Sequence, residues 1–159
     1  MTRAAVFAAL TAVCSWVSLP MGDIALTMQT FAVYLTLFLL GGKWGFATMG
    51  IYLALGSVGL PVFSAFQGGL GVLLGPSGGF LWGFLLFALV YWIFEGVNKV
   101  AAMVLGLFCC YGCGCLWFSY WSGGGFCFAL VRSVLPFLLP DLIKLYLAYG
   151  LSRRLASHF

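Results

Sequence analysis

Apolar residues dominate the chain in long runs that are separated by short polar or glycine-rich breaks. Each run approaches the roughly 20 residues that a helix needs to cross a bilayer. The pattern predicts six spanning helices, over residues 3–19, 28–40, 44–60, 78–94, 99–121 and 126–155. The last run is overlong, so we expect a break or kink at Pro136 or Pro140, because proline removes a helical hydrogen bond.

The composition is typical of an integral membrane protein. Of 159 residues, 64% are hydrophobic and 6% are charged, whereas about a quarter of a soluble domain is charged. Arg3 precedes an apolar run, but the rest of the chain is equally apolar, so we interpret the run as a first span and not as a removed signal. The sequence therefore predicts an all-α, multi-pass membrane protein, with residues 1–159 forming one six-helix domain.

The few charges indicate the orientation of the helices. Six spans place the cations Arg3, Lys43, Lys99, Arg153 and Arg154 on one side of the membrane, and Asp23 and Arg132 on the other. The side rich in Lys and Arg is cytoplasmic, so both termini are expected inside. The net charge of +4 is scattered singly at segment ends, which does not indicate a nucleic-acid partner.

Two charged residues lie inside the last apolar run. Asp141 and Lys144 are three positions apart and share one helix face, and each costs roughly 2.5–3.5 kcal/mol at the centre of a membrane helix. Helix rise places Asp141 roughly 18 Å outward of Arg153, in the outer half of the membrane. The pair predicts either a binding site for a polar ligand or a salt bridge that only fixes the orientation of the helix.

Other polar features lie at the same expected depth. Gln29 begins the second segment, and the stretch GPSGGF begins the fourth. Ser77 is expected to cap free amides there, and the helix start at Gly78 and Gly79 could receive a carboxylate or carbonyl oxygen. The alternative is that the two glycines only allow close helix packing.

The segment between the third and fourth helices, residues 61–75, is charge-free and rich in glycine. Its hydrophobicity predicts a lid that dips partly into the outer face of the membrane. An ordinary outer loop is the alternative.

Small residues repeat along the first helix. Ala4 and Ala8, and likewise Ala5 and Ala9, recur every four positions. Such a face lets another helix approach closely. The spacing is equally compatible with packing inside this protein and with docking to a separate subunit.

Four cysteines cluster in the fifth helix, at positions 109, 110, 113 and 115. Cys110 and Cys113 have the spacing of a thiol–disulfide oxidoreductase, but a zinc site needs four convergent ligands and the single histidine, His158, is far away in sequence. Cysteine inside a spanning helix is more often a small apolar residue. With three acids, one histidine and no phosphate loop, we expect no enzyme, metal or cofactor. A purely structural membrane subunit remains a further alternative.

Four stretches in order along the chain resemble the BioY family, the biotin-specific substrate-binding (S) components of energy-coupling factor (ECF) transporters. They are TMQTFAVYLTLFLLGGKWG, YLALGSVGLPVF, GGLGVLLGPSGGFLWGF and LPFLLPDLIKLYLA. The resemblance covers nearly the whole chain. It implies a six-helix fold in a bacterial cell membrane that binds biotin from outside. It also implies coupling to a transmembrane T component and two cytoplasmic ATPases.

The resemblance also implies roles for particular residues. Asp141 and Lys144 match the acid and lysine that contact the ligand in the family, and the first-helix alanines match the face that docks onto the T component. Ser77 and Phe80 depart from the family's usual GPTGGY-like motif. Asp141 could accept from a ureido N–H, and Lys144 could meet the carboxylate or the carbonyl oxygen. Aromatic side chains could line the apolar part of the ligand, namely Phe31, Tyr34, Phe63 and Phe80.

Overall fold

Seven helices and one short hairpin make up the parts of the chain that the structure, a computed structural model, describes, which are residues 2–21 and 23–156. His158 lies outside these ranges. The strands are β1 (Ser18–Met21) and β2 (Ile24–Thr27), and a 3₁₀ turn covers Ser64–Phe66. The helices are α1 (Thr2–Trp16), α2 (Gln29–Ser57), α3 (Leu70–Leu73), α4 (Gly78–Phe94), α5 (Lys99–Ser122), α6 (Gly125–Ser133) and α7 (Leu135–Leu155). The predicted helical class is confirmed.

Helix α2 is two antiparallel limbs joined by a tight reversal at Gly41. The backbone of Gly41 has φ 76° and ψ 172°, a conformation that glycine adopts readily and other residues avoid. The side chains of Gln29 and Tyr52 are hydrogen-bonded at 2.9 Å, whereas in a straight helix the two residues would be roughly 35 Å apart. Residues 29–40 and 42–57 therefore correspond to the second and third predicted segments.

The break in the last segment lies slightly earlier than predicted. Helices α6 and α7 meet at a bend of 40° around Val134. Pro136 lies in the first turn of α7, where its missing N–H costs no hydrogen bond. Pro140 lies inside α7. The predicted break is present, but it comes just before the prolines rather than at one of them.

The hairpin was not predicted. The first segment was expected to stay helical to Leu19, but α1 ends at Trp16 and the chain enters β1. Strand β1 pairs with β2 in antiparallel register, with Ser18 opposite Thr27. The short hairpin brings β2 back beside the start of α2, and this return shapes the cavity described below.

Contacts join the ends of several helices near the reversal of α2, and the segregation of Lys and Arg to one side of the membrane stays a prediction. Near the reversal of α2, the Gly42 amide donates to the Glu95 carboxylate at the end of α4, with an N–O distance of 2.9 Å. On the neighbouring turn, the Phe38 ring meets Tyr149 near the end of α7 at 5.6 Å. Asp23 and Arg132 lie together elsewhere, 3.9 Å apart.

Several helices are long and apolar enough to cross a membrane. By length and composition these are α2, α5 and the bent pair α6–α7, while α1 and α4 are shorter apolar helices. These helices indicate a membrane protein, and the count of six spans stays a prediction.

Helices α4 and α5 pack closely because glycines line their contact. A Cβ on Gly83 would meet Cys110, a Cβ on Gly106 would meet Phe87, and a Cβ on Gly114 would meet the ring of Phe80. Small residues let apolar helices gain van der Waals contact where water supplies no driving force. This contact fixes the position of Phe80 and hence one wall of the cavity.

Candidate functional site

A cavity of about 730 Å³, counted with the open space at its mouth, lies between the hairpin, loop 61–75 and helices α2, α4, α5, α6 and α7. Aromatic and aliphatic side chains form most of the wall, among them Phe63, Phe80, Phe84 and Phe137. A small cluster of polar side chains lies at one side of the cavity. An apolar wall with a polar cluster suits a ligand that has an apolar body and a polar head.

The charged pair of α7 belongs to that polar cluster. Asp141 and Lys144 line the cavity, are 2% and 7% exposed, and form an ion pair with an Nζ–Oδ1 distance of 2.9 Å. The Lys144 ammonium also donates to the Thr27 carbonyl at 2.6 Å and to Thr30 Oγ1 at 3.2 Å. Lys144 thereby joins α7 to the end of β2 and the start of α2.

Three elements hold the Asp141 carboxylate. Oδ1 accepts from Lys144 and from the Thr30 hydroxyl, the latter at 2.8 Å, and Oδ2 accepts from the Tyr111 hydroxyl of α5 at 2.7 Å. An ionised carboxylate has about four acceptor positions. Three are occupied, so Oδ2 retains capacity for one more donor.

Sequence reasoning missed Thr27, Thr30 and Tyr111. Each is an ordinary polar residue in an otherwise apolar segment, and no spacing rule connects residues 27–30 with residue 111 or residue 141. The one available signal was the position of Thr27 and Thr30 beside Gln29, at the predicted outer end of the second helix.

Gln29 lines the cavity and is linked to loop 61–75. Its amide Nε2 donates to the Tyr52 hydroxyl at 2.9 Å, and that hydroxyl donates to the Val62 carbonyl at 2.8 Å. The Ser15 hydroxyl of α1 donates to the same carbonyl at 2.7 Å. Phe63, next in the chain, is 1% exposed and lines the cavity. These hydrogen bonds hold the loop against α1 and α2, so that it forms one wall of the cavity.

The GPSGGF stretch divides into two roles. Ser77 and Phe80 line the cavity. Gly78 and Gly79 are not among the lining residues. A Cβ on Gly78 would meet the Leu73 carbonyl, and one on Gly79 would meet Trp117. These contacts agree with the packing alternative for the glycines. The expected capping bond of Ser77 is absent: its side chain accepts no hydrogen bond from the backbone amides at the start of α4.

Two expected aromatic residues lie outside the cavity wall. Tyr34 is fully buried in the core, with its ring edge-on to Phe87 at 5.7 Å, and its hydroxyl has no hydrogen-bond partner among the described residues. Phe31 is partly buried against the core. Phe87 lines the cavity instead.

The alanines of α1 face two ways. Ala4 and Ala8 are each 1% exposed, and α1 packs chiefly on α2, as the internal-packing alternative requires. Ala5 and Ala9 are exposed. Any docking of a second subunit through the small residues of this helix would therefore use the face of Ala5 and Ala9.

The cysteines are free thiols distributed around α5. Cys110 lines the cavity, with Sγ 3.8 Å from the Phe80 carbonyl, and Cys115 is buried. Cys109 and Cys113 are half-buried. Across residues 2–21 and 23–156, no group of three His, Cys, Asp or Glu side chains could hold a metal ion.

Comparison with known proteins finds one consistent family. The sequence model of the BioY family matches residues 1–159. The biotin transporter BioY of Thermotoga maritima is 37% identical over 158 residues, covering 96% of this chain and 93% of that protein. The biotin transporter BioY2 of Lactococcus lactis is 32% identical over 167 residues, covering 99% of this chain and 92% of that protein.

A solved structure has the same fold. It is a crystal structure of the S-component for biotin from an ECF-type ABC transporter, with a TM-score of 0.89 and 28% sequence identity. The match covers 98% of this chain and 89% of that chain.

Proposed function

Because the chain belongs to the BioY family, whose members are transporter components and not enzymes, we propose that it is a biotin-binding S component. In this role it captures biotin from the outer side of the cell membrane, as transported substrate and not as a cofactor. The observation that carries the proposal is the buried carboxylate of Asp141, held at the polar side of an otherwise apolar cavity.

The cavity complements the chemistry of biotin. The ureido group offers two N–H donors and a carbonyl acceptor, and the free acceptor position of Asp141 Oδ2 suits one N–H. The Gln29 side chain at the cavity wall can serve the remaining ureido groups. Phe63, Phe80 and Phe84 offer apolar contact to the fused ring and the aliphatic tail.

Active uptake requires partners, since the sequence contains no phosphate loop for ATP. We propose the transmembrane T component and two cytoplasmic ATPases of the ECF architecture. The exposed face of α1 with Ala5 and Ala9 is the proposed contact for the T component. A multi-pass arrangement with both termini in the cytoplasm follows from the distribution of Lys and Arg.

The experiment is biotin binding to the purified protein in detergent, by titration calorimetry. Asp141→Asn should weaken binding at least tenfold, because the amide replaces an acceptor that a ureido N–H needs with a donor. Glu95→Gln is the matched control: it makes the same change at the opposite end of the bundle, where Glu95 accepts from Gly42, and should leave the affinity unchanged.

Asp141→Asn must remain folded for this comparison, which size-exclusion chromatography and a melting curve would establish. Equal biotin affinity of wild type and folded Asp141→Asn would refute the site. Absence of biotin binding by the wild type would refute the function.

A further inference from the structure

The charged pair in the cavity has no unused positive charge for an anionic ligand. An ammonium has three N–H donors, and those of Lys144 meet the Thr27 carbonyl, Thr30 Oγ1 and Asp141 Oδ1. The charges of Lys144 and Asp141 also cancel. A ligand that places a neutral head at Asp141 and ends in a carboxylate therefore needs a cation elsewhere.

Arg132 is the remaining cation on the outer side. Five of the seven Lys and Arg residues belong to the predicted cytoplasmic ends, and Lys144 is in the cavity. Arg132 lies on α6 directly before Ser133, and its ion-pair partner Asp23 lies directly before Ile24. Both Ser133 and Ile24 line the cavity. The Arg132–Asp23 pair therefore bridges α6 and the hairpin at positions next in sequence to cavity-lining residues, which is consistent with a place at the cavity rim.

The Arg132–Asp23 pair is weak and open to exchange. Its nearest N–O distance is 3.9 Å, and the two side chains are 57% and 50% exposed. Exposed pairs of this kind contribute little to stability. The Arg132 guanidinium lies over the Phe128 ring at 5.4 Å, which orients it while leaving its donor edge available to a carboxylate.

We propose that Arg132 recognises the carboxylate of the ligand at the rim, and that Asp23 holds this position until the ligand carboxylate replaces it. The inference rests on the proposed function and deepens it, because it assigns the orientation of biotin. The ureido ring lies at Asp141, the aliphatic tail follows the aromatic wall outward, and the carboxylate meets Arg132. Lys144 is then a positioning residue that holds Asp141 and the end of β2.

The test compares biotin with its methyl ester, which has the same ring and tail but no negative charge. Arg132→Gln should weaken biotin binding about tenfold, the loss expected for one hydrogen-bonded charge contact, and should change the affinity for the ester less than twofold. Arg153→Gln, which changes a cation that also lies over an aromatic ring, Tyr149, is the matched control and should alter neither affinity.

Asp23→Asn distinguishes two roles of Arg132, namely binding the ligand carboxylate and holding the hairpin in place through its ion pair with Asp23. Removal of the competing carboxylate should tighten biotin binding about two- to fivefold and leave the ester unchanged. Equal losses for biotin and the ester in Arg132→Gln, or weaker biotin binding in Asp23→Asn, would overturn the proposal. If Arg132→Gln does not fold, Arg132→Lys decides: it keeps the charge and should retain most of the preference for biotin over the ester.

These outcomes are distinct from failure of the proposed function. If the wild type binds biotin and the ester with equal affinity, the function stands and the assignment of Arg132 is wrong. If the wild type binds neither biotin nor the ester, the proposed function and the assignment of Arg132 are both wrong.

Discussion

At the scale of single residues, the site depends on the carboxylate of Asp141, which is buried and accepts hydrogen bonds from three side chains. Removing one partner of a buried ion pair leaves an uncompensated charge and typically costs about 3–5 kcal/mol. The hydroxyls of Thr30 and Tyr111, together with Lys144, stabilise the negative charge of Asp141. The pair therefore has a structural role as well as the proposed ligand contact, and stability alone cannot separate the two.

Tyr111→Phe tests the support of Asp141 without changing a charge. The variant keeps the aromatic ring but loses the hydrogen bond that the Tyr111 hydroxyl donates to Asp141 Oδ2 at 2.7 Å. We expect biotin affinity to fall about five- to tenfold and stability to fall by about 1–3 kcal/mol, because a hydrogen bond to a charged group is lost. Titration calorimetry and chemical unfolding in detergent measure the two effects.

Tyr120→Phe is the control for Tyr111→Phe. It removes a hydroxyl from the same helix at a position that is 90% exposed, and should change neither quantity. Wild-type affinity in Tyr111→Phe would show that Asp141 does not need this bond to hold its ligand.

At the scale of elements, the cavity is built where short, irregular pieces join long helices. The end of β2 supplies the Thr27 carbonyl to Lys144. Loop 61–75 supplies Phe63, and the bonds from Tyr52 and Ser15 to the Val62 carbonyl fasten that loop to α2 and α1. Helix packing matters equally, since the ring of Phe80 lies against Gly114. Small residues on α5 thus decide the shape of a wall on α4.

Gly114→Ala tests the link between helix packing and binding. A Cβ at this position would collide with the Phe80 ring, and Phe80 lines the cavity. We expect both a lower melting temperature and weaker biotin binding, by at least threefold, because the ring must move. Gly112→Ala is a close control on the same helix, since nothing lies within 4 Å of its Cβ position.

For Gly112→Ala we expect unchanged binding and equal or higher stability, because alanine favours the helix more than glycine does. Identical behaviour of the two variants would contradict the proposed close contact at Gly114.

At the scale of the whole molecule, most of the surface suits contact with lipid. Large apolar side chains are exposed on most helices, as expected for contact with acyl chains. On α1, however, the exposed positions include the small residues Ala5 and Ala9. Small outward residues gain little from lipid but allow a second helix to approach closely, which supports their assignment to a partner.

Ala9→Leu tests the partner surface. Biotin affinity of the isolated protein should stay the same, because Ala9 is exposed and does not line the cavity. ATP-driven biotin uptake by the assembled transporter in vesicles should fall at least fivefold, because the added bulk keeps a neighbouring helix away. Leu116→Phe, an enlargement at a position on α5 that is 63% exposed, is the control. Undiminished uptake by Ala9→Leu would exclude this face as the docking surface.

The order of apolar runs and the cost of two charges in lipid were enough to predict a helical membrane protein and to select Asp141 and Lys144. Local rules also located the reversal near Lys43 and the start of α4 at Gly78. These features depend on composition and on helix periodicity, both of which a linear sequence contains. The family resemblance, carried by four ordered stretches, was confirmed by comparison.

Only the tertiary structure decided which polar groups meet. Thr30 is 111 positions from Asp141 and Tyr111 is 30 positions from it, so no periodic pattern connects them. The close contact of Gly79 with Trp117 and the burial of Tyr34 against Phe87 were likewise decided by neighbours distant in sequence. Close packing in three dimensions selects one partner among many that are locally equivalent, and that selection is a property of the folded bundle.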